Sequence, residues 1–490
     1  MESEGLPETR DASPRAASMV ETLRALGYSL ETAIADVIDN SITAGASMVD
    51  VTFEWHGRDS VVVISDDGSG MSDDEIAESM RPGTRSPLED RDPSDLGRFG
   101  LGLKTASFSQ CRMLTVISKR EEGMVAFWTW DLDYVSASGR WNLLRTPGQT
   151  DEQDAVAKRL KGTSVVWQKM DRLVGDVDQD DEAAQVQFWQ AVEGVRDHVA
   201  MVFHRYIEDP GPGSVSIRLN GRELSAWDPF LRGKPGTQPL ATEALSGDVS
   251  VKPYVLPHHS KLDPDALKVA AGRAGWAGMQ GFYVYRNRRL LVAGDWLGLF
   301  RREEHYKLVR LQVDIPNSTD QEWDIDVKKS RARPPGGLRQ DLARIGEAAR
   351  SRALQVYRSR GAQLPRVPES KDVAPVWTER VHQGRRKYEI NRAHPSIATL
   401  DSGGPEWAAL RAALRLIEET VPVSSIYYRE ASRPDQHASP LEGVSEDDVV
   451  SLMRTVRAAL VAGGASGKEA DRRLLTMEPF NVYPHLISRL

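Results

Sequence analysis

One cysteine, Cys111, stands among 490 residues. That excludes an intrachain disulfide framework and a cysteine-built zinc site, and points to a reducing, cytoplasmic setting. Cys111 itself falls in a predicted helix, where a small buried hydrophobe is expected. Long apolar runs are also missing, so no stretch reads as a transmembrane helix, and the polar start MESEGLPETRDASPR does not read as a secretory leader. A positive net charge is absent too: 63 Lys and Arg face 71 Asp and Glu, a formal −8. This excludes bulk non-specific nucleic-acid binding and leaves room only for a local basic groove. None of the ten histidines pairs at metal-ligand spacing, and His382, His394 and His437 read as surface or packing residues. No internal repeat or low-complexity tract is present, and the length predicts two or three domains.

What is there begins with Glu31 to Ala46, ETAIADVIDNSITAGA. Leu30, Ile34, Val37 and Ile38 recur at helical spacing and predict an amphipathic helix. Ser29 caps it, Glu31 suits its first turn, and Gly45 stops it. Asp36, Asn40 and Thr43, at i, i+4 and i+7, share the polar face. A carboxylate there can take a proton from a water. A carboxamide one turn on can ligate a hard cation such as Mg²⁺, which prefers oxygen ligands and arrives with phosphates. A merely solvated helix face carries the same pattern, so this stretch alone decides nothing.

Residues 1–15 read as a disordered tail, and Ala16 to Leu26 as a short helix. Val49, Val51, Phe53 and Trp55 alternate and predict a half-buried strand. Ser60 to Ser65 is nearly continuously apolar, as a central strand would be. It runs into Asp66-Asp67-Gly68-Ser69-Gly70-Met71, where two glycines permit a tight turn and close backbone approach to a ligand. An Asp at that strand end can accept a hydrogen bond from an amino group such as a purine's. Ser72 and Glu75 form a capping box for the next helix. Ala77 to Asp95, rich in Pro and charge, reads as a long loop of the kind used for lids. It ends in LGRFGLGLKTAS, where glycines precede a helix and Lys104 adds charge near its start, an anion-binding pattern. The spacing fits neither a P-loop nor the dinucleotide fingerprint. Strands are expected at Met113 to Ser118, Gly123 to Asp131, Trp141 to Leu144 and around Lys161 to Trp167, then a long helix from Asp181 to Ile207.

This order of boxes resembles the GHKL ATPase superfamily, which includes gyrase B, the heat-shock ninety chaperones, histidine kinases, MutL and the MORC proteins. IDNSITAGA looks like its N-box, DDGSGM its first glycine box, GRFGLGLKTAS its second and GTS its third. The resemblance covers residues 16–208. It implies an α+β fold, a two-layer sandwich of the Bergerat type: a mixed sheet with helices on one face and ATP with Mg²⁺ between. By position, Asn40 matches the Mg²⁺-binding asparagine. Asp66 matches the adenine-reading aspartate, with Gly68, Gly70 and Met71 around the base and Thr163 beside it. Gly97, Gly100 and Gly102 match the lid glycines around the phosphates, and Lys104 and Thr105 lie at the lid helix start. One departure matters. The general base of hydrolysing members is a glutamate, and here that position is Asp36, one methylene shorter; Thr43 also replaces an acid. About an ångström of misplacement costs roughly 100-fold in rate, so slow turnover is expected.

In the second half, a hairpin is expected about Asn220-Gly221, with strands at Asp248 to Leu256, Gly281 to Tyr285 and Leu308 to Ile315. GFYVYRNRRLL and DIDVKKSRARPP resemble the transducer domain of gyrase, MutL and MORC proteins, expected over residues 209–360. That domain returns one lysine to the γ-phosphate; Lys328 and Lys329 are the candidates and Lys329 is preferred. A solvated basic turn would look the same. A helix from Gly337 to Arg360, a linker at 361–375 and a mainly helical C-terminal region at 376–490 complete the chain. The resemblance, closest to bacterial MORC-like and MutL-like proteins, implies a slow ATPase. It would act as a switch or clamp that forms homodimers on ATP. It implies DNA or a protein partner, in DNA handling or phage defence, and no membrane. Basic stretches at Arg286 to Arg289, Lys328 to Arg333 and Arg380 to Lys387 favour DNA. A non-hydrolysing ATP-binding scaffold is the alternative. A chaperone of the heat-shock ninety type ranks last, because an acidic linker and a Met-rich client surface are lacking.

Overall fold

The alternation at Val49, Val51, Phe53 and Trp55 is fully expressed: all four face one core and none is more than 8% exposed. The computed structural model describes residues 14–490 apart from 26, 84–101, 146–149, 210, 212, 320–321, 326–331, 359–375, 383–384, 399, 401–403, 424, 427–439 and 478. The chain divides into two units, Met1–Arg360 and Gly361–Leu490. The first unit opens with β1 (Met48–Glu54), β2 (Val61–Asp66), β3 (Met113–Lys119), β4 (Ala126–Asp131), β5 (Gly162–Gln168), β6 (Ser216–Leu219) and β7 (Arg222–Glu223). They form one sheet in the order β4-β3-β5-β2-β1-β6-β7. Neighbours are antiparallel except β1 and β6, so the sheet is mixed.

Helices α1 (Ala16–Arg24), α2 (Leu30–Thr43), α3 (Asp73–Met80), α4 (Gly102–Phe108), α5 (Leu132–Ser138), α6 (Thr150–Lys158), α7 (Glu182–Val202) and α8 (His204–Glu208) surround it. Ile34, Val37 and Ile38 of α2, with Val192, Val195 and Val199 of α7, pack on Val62 and Ile64 of β2, giving the expected α+β two-layer sandwich. The other face is not bare. Val156 of α6 covers Ile117 and Val166, with Val61, Val63, Val125 and Phe127 around them. The α3 capping box is formed as expected: Ser72 and Glu75 bond reciprocally.

Some expected boundaries shift. The run to Ile207 breaks at Phe203, which leaves helical dihedrals (φ −105°, ψ 13°) and is fully buried. Trp141 to Leu144 forms only a bridge, Leu144 to Thr129, because Trp141 and Leu143 turn onto the core instead of pairing along a strand. Cys111 lies just beyond α4, not in it. It is buried, donates to the Ser107 carbonyl at 3.2 Å, and burial pushes its thiol up in pKa.

A second sheet holds β8 (Gln238–Pro239), β9 (Glu243–Ala244), β10 (Ser250–Val255), β11 (Gly281–Arg286), β12 (Arg289–Asp295) and β13 (Val309–Ile315). Its order is β12-β11-β13-β10-β8, with β9 also on β10, and β11 runs parallel to β13. Asn287 and Arg288 join β11 to β12 with φ of 47° and 69°, a two-residue turn of the primed type that suits strand twist. After α9 (Pro264–Ala271) and α10 (Gly275–Gly278), α11 (Gly336–Arg358) lays Leu338, Leu342, Ile345, Ala349, Ala353 and Val356 on this sheet. This is a second α/β layer, a sheet with α11 packed on it. In the second unit, helices Glu446–Ala462 and Gly467–Thr476 bury Val449, Met453, Leu460 and Leu474 together. An antiparallel hairpin, Trp377–His382 with Arg385–Ile390, stands where mainly helical structure was expected. No helix among the described residues is long and apolar enough to cross a membrane.

Leu342 is fully buried under the second sheet. Leu342→Ala should therefore lower unfolding stability by about 2–5 kcal/mol, read from denaturant midpoints.

Candidate functional site

The end of β2 places Asp66 opposite Thr163 of β5. Its Oδ1 accepts from the Gly68 amide at 2.9 Å and the Thr163 amide at 3.2 Å, and its Oδ2 accepts from the Ser41 hydroxyl at 2.8 Å. A carboxylate offers about four lone-pair sites, so one acceptor direction remains for an incoming donor. Burial raises the Asp66 pKa above the ordinary carboxylate value, against the pull of those three donors. Gly70 (φ +67°) and Gly162 (φ +134°) hold the turn closed: an added Cβ would meet the Lys119 carbonyl oxygen at 1.9 Å or that of Asp66 at 2.1 Å. Thr163 Oγ1 lies 2.8 Å from Ser118 Oγ, which accepts from the Met71 amide at 2.8 Å and donates to the Gly162 carbonyl at 3.0 Å. Sequence reasoning missed Ser41 and Ser118. Ser41 was legible as the residue after Asn40; Ser118 carried no signal beyond its strand.

The polar face of α2 is split by burial. Asn40 and Thr43 are exposed, while Asp36 and Asp39 are 3% and 1% exposed. The two aspartates meet a partner from the second sheet, Arg289 at the start of β12. Its Nε lies 2.8 Å from Asp39 Oδ1 and 2.7 Å from Asp39 Oδ2, and its Nη2 lies 3.5 Å from Asp36 Oδ1. The other oxygen of Asp36 faces α4: a Cβ on Gly102 would stand 3.9 Å from Oδ2. The turn carrying Arg289 is seated on α8. Tyr206 donates its hydroxyl to the Asn287 carbonyl, Arg288 lies over the Tyr206 ring at 4.9 Å, and His204 Nε2 meets the Tyr285 hydroxyl at 2.8 Å. Partly buried His198 also faces this seam, and burial with the Arg289 charge holds its imidazole down at about 4.

The structure thus brings together Asp36, Asn40, Asp66, Gly68, Gly70, Met71, Gly102 and Thr163. Lys104 and Thr105 lie on α4 but are buried, and the Lys104 ammonium donates to the Ser79 carbonyl at 2.9 Å. Burial pulls its pKa down to about 8. Gly97, Gly100, Lys328 and Lys329 lie outside the described residues. One expectation is corrected: Arg286 and Arg289 are 1% and 3% exposed and so do not form a DNA-facing surface, and Arg289 is instead paired with Asp36 and Asp39. A separate cleft of about 870 Å³ is lined by Trp128, Trp130, Tyr134 and Trp141, and neither Asp36, Asn40 nor Asp66 is among its described lining. Among the described residues no group of three or more His, Cys, Asp or Glu could hold a metal ion. The exposed carboxamide of Asn40 fits instead an ion that arrives bound to phosphates.

Residues 28–163 match the family model of the histidine kinase-, DNA gyrase B-, and HSP90-like ATPases. This stretch is similar to the ATPase modules of that family. The chain is similar to the DNA mismatch repair protein MutL of Paramagnetospirillum magneticum, 32% identical over 309 residues, which covers 59% of this chain and 45% of that protein. It is similar to the MutL of Rickettsia prowazekii, 30% identical over 95 residues, 19% of this chain and 16% of that one. The chain thus spans less than half the length of these curated relatives. A crystal structure of the ATPase and transducer domains of DNA topoisomerase II from Balamuthia mandrillaris is also similar, at 14% identity and a TM-score of 0.38. That match covers 67% of this chain and 86% of the other.

A protonated Asp66 can no longer accept from an amino donor at the protonated oxygen, and its pKa is raised. Affinity for a fluorescent adenine nucleotide should therefore weaken as pH falls, setting in above the ordinary carboxylate range. Asp66→Asn should weaken binding by about 1.5–3 kcal/mol at neutral pH and flatten that dependence, as a fluorescence titration would read.

Proposed function

We propose that the chain is a Mg-ATP-binding conformational switch that hydrolyses ATP slowly. The observation that carries this reading is the Asp66 carboxylate, held by three protein donors with one acceptor direction left, at the head of a glycine turn beside Asn40 and Asp36. Asp66 would accept from the adenine amino group, with Gly68, Gly70, Met71 and Thr163 around the base. Asn40 would hold the Mg²⁺ that neutralises phosphate charge. Asp36 would orient and deprotonate water. Gly97, Gly100, Gly102 and Thr105 would surround the phosphates, and Lys329 would reach the γ-phosphate from the transducer-like layer. Lys104 would serve there only by leaving the Ser79 carbonyl.

Nucleotide would bias a two-state arrangement and join two copies into a clamp on DNA or on a protein partner. The DNA reading rests on similarity to proteins named for DNA mismatch repair. The bacterial MORC-like setting, in DNA handling or phage defence, rests on the motif resemblance. A second reading, an ATP-binding scaffold that does not hydrolyse, is favoured by one observation: Asp36 is short and already engaged with Arg289.

Phosphate release with Mg-ATP, beside size exclusion with a non-hydrolysable analogue, separates the two. A slow release lost in Asn40→Ala and raised in Asp36→Glu, with dimers only when nucleotide is present, is the expected outcome. Nucleotide-dependent dimers with no release would select the scaffold.

A further inference from the structure

The seam between the two sheets holds a cation that no box of the ATP module contains. Arg289 belongs to β12, about 250 residues after α2 in the chain. It is nevertheless 3% exposed and paired with both aspartates of the N-box helix. Its guanidinium is planar and presents donors in a fixed fork, so it can be pinned by one carboxylate while it orients another. Asp39 does the pinning, at 2.7–2.8 Å from Nε; Asp36 Oδ1 lies 3.5 Å from Nη2. The remaining oxygen of Asp36 faces Gly102 at the start of α4.

We propose that Arg289 is a positioning residue for Asp36. It holds one carboxylate oxygen at the seam so that the other is aimed at the phosphate end of the site. The second sheet then contributes to hydrolysis by a route separate from Lys329. It sets the orientation of the base, and it does so only while the β11–β12 turn is seated on α8. The assignment rests on the reading of Asp36 as the base. Arg289 touches neither nucleotide nor water in this role, so its loss acts on turnover and spares nucleotide affinity.

The test uses the full chain and measures phosphate release over a range of Mg-ATP, with affinity for a fluorescent ATP analogue read separately. Arg289→Met should lower kcat roughly 100-fold, toward the level of Asp36→Asn, with the analogue's Kd within about threefold of wild type. Arg289→Lys keeps the charge without the fork and should restore part of that loss. Asp39→Asn keeps the arginine but loosens its anchor, and should lower kcat by about tenfold. Should Arg289→Met fail to fold by thermal melting, the Lys and Asn variants decide. Wild-type kcat in both of those variants, or a Kd that rises in step with the loss of kcat, overturns the assignment. A wild type that binds the analogue without releasing phosphate overturns the hydrolytic reading and this assignment with it. An active wild type that tolerates both variants overturns only the assignment.

Discussion

Three carboxylates, Asp36, Asp39 and Asp66, are at most 8% exposed in this protein, and an ionised carboxylate taken out of water must be compensated where it sits. The site solves this twice, in different ways. Asp66 is compensated by neutral donors from α2, the glycine turn and β5, which leave it a spare acceptor direction but do not cancel the rise that burial imposes. Asp36 and Asp39 are compensated by a full positive charge delivered from another sheet. The first solution leaves a buried carboxylate with an open acceptor direction and a raised pKa. The second makes the second sheet part of the electrostatics of α2.

That dependence explains the packing at the seam. Arg289 can reach α2 only because the Asn287-Arg288 turn is tight and lies against α8. The break of the long helix at Phe203 creates α8 and carries Tyr206 and His204 to where they meet the turn and Tyr285. Phe230, Tyr254, Tyr283 and Tyr285 then close an aromatic cluster behind it. A helix running straight through Phe203 would not place His204 and Tyr206 this way.

Much of the first sheet and its helices was legible because their signals are local. The alternation at β1, the Ser29 and Ser72 caps and the Asp66 turn each depend on residues within a few positions of one another. The members that depend on distant pairing were not legible. Arg286 to Arg289 read as a basic stretch favouring DNA because nothing within RNRR records that the partners of Arg289 lie on α2. Ser118 reaches Thr163 only through the β3–β5 pairing. Lys104 read as a phosphate ligand from its place after the glycines, yet its ammonium turns to the Ser79 carbonyl, the partner that burial brings within reach. The C-terminal hairpin escaped because the charged residues within its strands mask their alternation.

The buried ion pair also constrains how nucleotide could move the two layers. A rearrangement that parted Arg289 from both aspartates would strand buried charges, and breaking such a pair by removing one partner costs about 3–5 kcal/mol. Shifting a two-state equilibrium from one extreme to the other takes about 5.5 kcal/mol of differential binding, so a ligand that also broke this pair would need about 8.5–10.5 kcal/mol. A rotation about the β11–β12 turn, with Arg289 still seated, meets no such cost. The same ion pair that compensates the N-box aspartates therefore favours the seam as a pivot and disfavours it as a gate.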